Sequence, residues 1–78
     1  MRFKIYDRAI NILTGKECII LGTKDKPYRP KNDYMHRKEI KPDDGFDYLI
    51  MTKVSDNGKE INYSGLTSVM DNQLNEIK

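Results

Sequence analysis

Polar and apolar residues alternate most regularly over residues 46–63, FDYLIMTKVSDNGKEINY. In an extended chain Phe46, Tyr48, Ile50 and Thr52 fall on one side and Asp47, Leu49, Met51 and Lys53 on the other. A period of two with a β-branched and aromatic bias predicts a strand. Asp56-Asn57-Gly58 follows. Asn-Gly accepts the positive φ angles of a type I′ turn, so a hairpin is expected, with Ile61 and Tyr63 on the return strand and Ser64-Gly65 ending it.

Shorter apolar runs flank this hairpin. Residues 3–6 read as a short strand or extended lead-in, bent at Asp7-Arg8. Residues 9–13 read as a strand, because Thr14-Gly15 would stop a helix after about two turns and so short a helix is marginal. A turn at residues 14–17 leads to a second apolar strand at 18–21, whose continuous apolarity suggests burial on both faces before Gly22 stops it. Near the end, residues 69–74 suggest one helical or 3₁₀ turn capped by Ser68 or Asp71, and residues 75–77 a closing strand. Leu74 and Ile77, three apart, suit a core-closing turn better than a partner helix. The pattern as a whole predicts a mainly β protein of about five short antiparallel strands.

Residues 23–45 break the pattern. They hold all three prolines, Pro27, Pro30 and Pro42, and show no sustained period. We read them as one long loop with a short extended or helical piece near residues 34–40, inside a single domain spanning residues 1–78. Loops of this length are uncommon in compact domains and are often functional, although a surface insertion is also tolerated thermodynamically. Between Lys24 and Lys41 lie seven basic residues and three acidic ones. That segment is therefore +4, and the rest of the chain, given a total of +2, is −2.

A chain of 78 residues buries about 60% of its unfolded surface, so the core is thin. With 37% hydrophobic and 33% charged residues the chain is polar, but its clustered apolar runs exclude general disorder. One cysteine, Cys18, permits neither an internal disulfide nor a cysteine-based metal site and suits a reducing compartment. No apolar run approaches the ~20 residues of a membrane span, and MRFKIYDR lacks a signal-peptide core. The cytoplasm is the expected location, with no membrane contact.

Taken in order, KIYDRAINIL, GKECIILG, YLIMTKVSDNGKE and VMDNQLNEI resemble the SH3-like small β-barrel in its KOW- and Tudor-like bacterial and phage forms. The resemblance covers about residues 4–77 apart from the loop. It implies a small barrel of bacteriophage or mobile-element type, which would place the chain in a host cytoplasm. Two positions depart from the family pattern. Tyr6 stands where the family usually has Gly before the Asp, and Cys18 where a KOW motif has its Gly. The second departure separates the chain from a true KOW element and its ribosome and polymerase associations, so the resemblance concerns the fold.

Little in the chain points to catalysis. His36 lies among charges with no nucleophile beside it, and Cys18 lies in an apolar run. Asp43, Asp44 and Asp47 form a small acidic cluster of a kind that suits a cation, but Asp-Asp-Gly after Pro42 is first of all turn chemistry. There is no P-loop, dinucleotide-binding glycine pattern or zinc spacing. We expect no enzyme activity, catalytic residue, metal or cofactor. The basic loop is the better candidate. Lys24, Lys26, Arg29, Lys31, Arg37 and Lys38 suit phosphate contacts, with Tyr28, Tyr34 and His36 interleaved for base stacking. The plain alternative is a solvated loop kept soluble by charge. Pro27-Tyr28-Arg29-Pro30 also matches a short P-x-x-P ligand motif. Two functions remain: a nucleic-acid-contacting module, or an adaptor or inhibitor that docks on a host protein. An exposed barrel edge leaves a homodimer open.

Overall fold

The computed structural model describes residues 2–30, 39–56 and 61–77, with backbone alone at 55, 56, 61 and 62. Five strands form: β1 (Arg8–Asn11), β2 (Lys16–Thr23), β3 (Tyr48–Asp56), β4 (Ile61–Val69) and β5 (Leu74–Glu76). A 3₁₀ turn at Asp71–Gln73 separates β4 from β5. The strands make one antiparallel sheet in the order β4-β3-β2-β1-β5. The chain is thus mainly β, as its periodicity predicts. The expected closed barrel does not form, because β4 and β5 are the two edges of the sheet. Residues 70–73 turn the corner after β4 and bring β5 onto β1, so β5 lies across the sheet from β4 and the strand order gives the two edges no pairing with each other.

One face of the sheet carries the core. Phe3, Ala9, Cys18, Ile20, Tyr48, Ile50, Val69 and Leu74 are buried together. Tyr48 and Ile50 share that face, as the period of two requires, and burying a side chain such as Ile50 contributes about 1.5–3 kcal/mol. In β2 the burial is one-sided, against expectation: Cys18 and Ile20 are buried, whereas Ile19 and Leu21 are only half-buried. Leu49 is buried on the opposite face, in a hollow that Ile40, Phe46 and Leu66 also line. Phe46 thus lines the same hollow as Leu49, on the face away from the core. It precedes β3, its N–H donating to the Asp43 carbonyl at 3.0 Å, and the ladder to β4 begins with Asp47 N–H donating to Val69 O at 2.9 Å.

Other element ends also differ from expectation. Of the two readings of residues 3–6 no strand forms, and the bend falls at residues 5–6 instead of at Asp7-Arg8, with Asp7 N–H donating to Lys4 O at 3.0 Å and Arg8 already in β1. β1 stops at Asn11, and Ile12 and Leu13 pass into the turn, exposed. Buried Asn11 causes this. Its carbonyl accepts from Thr14 and Gly15, and its Oδ1 accepts from Leu13 N–H at 3.0 Å. Ser64-Gly65 does not end β4. Gly65 has φ +77° and the β3–β4 register shifts between Ile50 and Thr52, so the glycine forms a bulge and pairing continues to Val69. The Asn57-Gly58 turn lies outside the described residues; the last pair described on its strands is Asp56 with Ile61.

The two ends of the chain meet over Tyr48. Its hydroxyl donates to Asp71 Oδ1 at 2.6 Å and accepts from Phe3 N–H at 3.3 Å, while its ring meets Phe3 edge-on at 5.8 Å. Arg2 donates to Asp71 Oδ2 at 3.1 Å and to the Asp71 and Leu74 carbonyls at 2.7 and 2.6 Å. Neither Ser68 nor Asp71 caps the 3₁₀ turn. Met70 occupies the cap, and its N–H donates to Gln73 Oε1 at 2.9 Å; Asp71 N–H donates to Asp47 Oδ2 at 2.8 Å. Leu74 closes the core as expected, but Ile77 is exposed.

Candidate functional site

The 23–45 segment is pinned at its base, not structureless. Thr23 N–H donates to Lys26 O at 3.0 Å, and Lys26 N–H donates to Thr23 Oγ1 at 3.0 Å. These bonds close a tight turn that carries Lys24 and Asp25 at its tip. Gly22 lets the following chain fold back over β2, because a Cβ there would lie 2.9 Å from the Tyr28 nitrogen. Tyr28 and Ile40 then exchange both backbone hydrogen bonds, at 2.9 and 2.8 Å. On the return, Asp43 N–H donates to Ser68 Oγ at 2.9 Å, and Gly45 takes φ +85° in the turn from Asp43 to Phe46.

This base sorts the candidate residues. Lys24 and Lys26 are exposed on the fixed turn. Arg29 is ion-paired with Glu39, whose carboxyl it holds below the usual range by hydrogen bonding and charge. That pairing weakens the case for Arg29 as a phosphate contact. Tyr28 is half-buried and its main chain is committed to Ile40, so Pro27-Tyr28-Arg29-Pro30 forms part of the stem. Lys31, Tyr34, His36, Arg37 and Lys38 lie outside the described residues, as does most of the short piece expected near residues 34–40.

Sequence reasoning missed Lys4. It lines, with Phe3, Ile5, Thr23, Asp25 and Lys26, a hollow of about 430 Å³ beside the turn. Both walls are fixed by hydrogen bonds, Lys4 N–H donating to the Asp7 side-chain Oδ2 at 2.9 Å on one side and the Thr23–Lys26 pair on the other. The basic pair at Lys4 and Lys26 is drawn from residues far apart in the chain. The only local sign of Lys4 was the alternation of Arg2 and Lys4 with Phe3 and Ile5.

The remaining chemistry-bearing residues have structural roles. Asp43 closes a turn through its carbonyl, and Asp47 accepts from Asp71 N–H. Among the described residues no three His, Cys, Asp or Glu side chains are grouped to hold a metal ion. Burial, reinforced by the charge of Glu17, pushes the Cys18 thiol up to about 11. Native Cys18 should therefore react with iodoacetamide at pH 8 at least about a hundredfold more slowly than in urea, since the thiolate is the nucleophile. Mass spectrometry of timed quenches checks this; equal rates would mean that the β1–β2 face opens readily.

No family model, curated protein or solved structure matches this chain. Among the described residues no helix is long and apolar enough to cross a membrane.

Proposed function

We propose that the chain is a non-enzymatic binding module that contacts nucleic acid through the basic face at the base of the 24–41 segment. The observation that carries this reading is the presentation of Lys24 and Lys26 on a hydrogen-bonded turn, with Lys4 on the opposite wall of the adjoining hollow. Lysines on fixed backbone lose less freedom on meeting phosphates than lysines on a loose tail. The +4 charge of the segment adds a longer-range attraction, and its tyrosines supply faces for stacking. The antiparallel order β4-β3-β2-β1-β5 is compatible with the SH3-like small barrel that the sequence resembles, left open here along one seam. We extend the reading to a phage- or mobile-element-encoded protein acting in a host cytoplasm.

Fluorescence anisotropy with labelled single- and double-stranded oligonucleotides across a salt series tests the proposal. Binding should be strongest at low salt. Lys24→Gln with Lys26→Gln should reduce the single-strand slope of log K against log salt by about 1.4, from about 0.7 per phosphate contact. No binding at low salt sinks the proposal. An unchanged slope in the double variant moves the site elsewhere.

A second reading, docking on a host protein, is favoured by the exposed edge strand β4. Its sequence INYSGLTSV has none of the charges or prolines that usually blunt a sheet edge, although Gly65 bulges it. A specific partner retained by the immobilised chain after nuclease treatment would favour this reading over the first.

A further inference from the structure

The fixed turn that presents Lys24 and Lys26 also presents an acid. Asp25 stands between the two lysines and lines the same hollow as Lys4 and Lys26. Its side chain is exposed, and among the described residues it has no hydrogen bond and no ion pair. The turn closes without it, through Thr23 N–H to Lys26 O and Lys26 N–H to Thr23 Oγ1, both at 3.0 Å. An ionised carboxylate only accepts hydrogen bonds, and it repels phosphate. On a face that meets phosphates, Asp25 therefore opposes binding unless a donor of the ligand reaches it.

The shape of the hollow says where such a donor would come from. Lys4 and Lys26 stand on opposite walls, so a chain laid across the opening meets a cation on each side. Between them Phe3 and Ile5 supply an apolar wall, and the volume is about 430 Å³. That lies within the ~300–1,000 Å³ of clefts that hold small ring ligands. Cations at the rim, an apolar wall and one open carboxylate match a nucleotide whose base turns inward while its flanking phosphates stay outside.

We propose that this hollow takes an unpaired guanine of a single-stranded nucleic acid. Asp25 accepts from the Watson–Crick edge of the base, and Lys4 and Lys26 meet the phosphates on either side. Guanine offers two adjacent donors on that edge, N1–H and the N2 amino group, which the two carboxylate oxygens accept together. Adenine and cytosine offer one amino group beside a ring acceptor. Thymine and uracil set one N–H between two carbonyls, which repel the carboxylate. In a duplex the same edge is taken by the partner base, so the site selects single strands. The inference rests on the nucleic-acid reading above and gives it a substrate class.

The test is fluorescence anisotropy of the full chain with labelled oligothymidylate, with the same strand carrying one central guanine, adenine or cytosine, and with the guanine strand annealed to its complement. The guanine strand should bind about tenfold more tightly than oligothymidylate, as a two-bond base contact allows. Asp25→Asn should remove most of that preference. The same variant should bind oligothymidylate at least as tightly as the parent does, because a charge that repels phosphate is gone. Oligouridylate strands with the same central bases form a second arm. Guanine preference in either arm supports the proposal, and the tighter arm names the sugar. Equal binding of all four bases in both arms, with a normal salt dependence, overturns this inference and leaves the nucleic-acid reading standing. So does a duplex that binds as tightly as the guanine strand, or a guanine preference that survives Asp25→Asn. If Asp25→Asn weakens every strand alike, the carboxylate serves the turn and the inference is overturned. Failure of every strand to bind at low salt overturns both readings.

Discussion

Tyr48→Ala should lower the unfolding free energy by about 3–5 kcal/mol, the range for truncating a buried aromatic residue. Tyr48 is fully buried and meets Phe3 edge-on at 5.8 Å, so alanine removes the ring that packs the N-terminal lead-in onto the sheet. Small domains have only about 5–15 kcal/mol in total, and a thin core puts this chain toward the low end. A substantial unfolded fraction at room temperature is therefore expected, read as a lowered urea midpoint by circular dichroism. Tyr48→Phe separates the hydroxyl from the ring. It removes the partner of Phe3 N–H and leaves Asp71 Oδ1 only the longer bond from Arg2 N–H at 3.4 Å, and it should cost about 1–3 kcal/mol. If phenylalanine proves as stable as tyrosine, the hydroxyl adds nothing to the packing of the ring.

The same cluster sets a pH dependence at each extreme. The Tyr48 hydroxyl and then Arg2 hold the Asp71 carboxyl below its usual range. A carboxyl depressed in the folded state contributes stability above the ordinary carboxylate pKa and loses it as pH falls through the folded value. Asp71 should therefore make the fold acid-sensitive below about pH 4, and Asp71→Asn should flatten that limb. Burial, then the bond to Asp71, raises the Tyr48 phenol. Its contribution is fully present below the ordinary tyrosine pKa and is lost as pH rises through the raised value, so a second decline belongs above about pH 10.

How far the sequence reveals this molecule depends on the range of the interactions. Tyr48 and Ile50 are legible because strand alternation is local and the core lies on one face. The 3₁₀ turn is legible near Asp71 because β4 has to turn there. Ser64-Gly65 misleads, because glycine marks a bulge as readily as a strand end, and only the partner strand decides between them. Arg2 with Asp71, and Tyr28 with Ile40, join residues whose pairing no local pattern encodes. The same limit applies to the candidate site. Its charge is visible in composition, but the neutralisation of Arg29 by Glu39 and the approach of Lys4 to Lys26 follow from the fold. Tyr6 is a further case: its positive φ of 72°, unlike that of Gly15 or Gly45, has no glycine in the sequence to announce it.

Gly22→Ala should unsettle the base of the basic segment. A Cβ at Gly22 would lie 2.9 Å from Tyr28 N and 3.3 Å from Tyr28 Cβ. The Tyr28 backbone cannot yield freely, because it exchanges two hydrogen bonds with Ile40, and the preceding turn is tied by Thr23 and Lys26. Overpacking of this kind costs about 1–3 kcal/mol. Gly45→Ala makes a useful comparison. Gly45 has φ +85° and open space around it, so alanine there suffers backbone strain of about 1–2 kcal/mol without pushing on a neighbour. Both variants should lower the urea midpoint, but only Gly22→Ala should shift the Tyr28 and Ile40 amide resonances and speed their hydrogen exchange. If the fixed turn is what presents Lys24 and Lys26, Gly22→Ala should also weaken oligonucleotide binding at a temperature where the sheet remains folded, and Gly45→Ala should not. Unchanged exchange at Tyr28 in Gly22→Ala would show that the stem adapts to the extra methyl group. The lysines would then owe their placement to the sheet end itself, not to the close approach of residues 26–28 over Gly22.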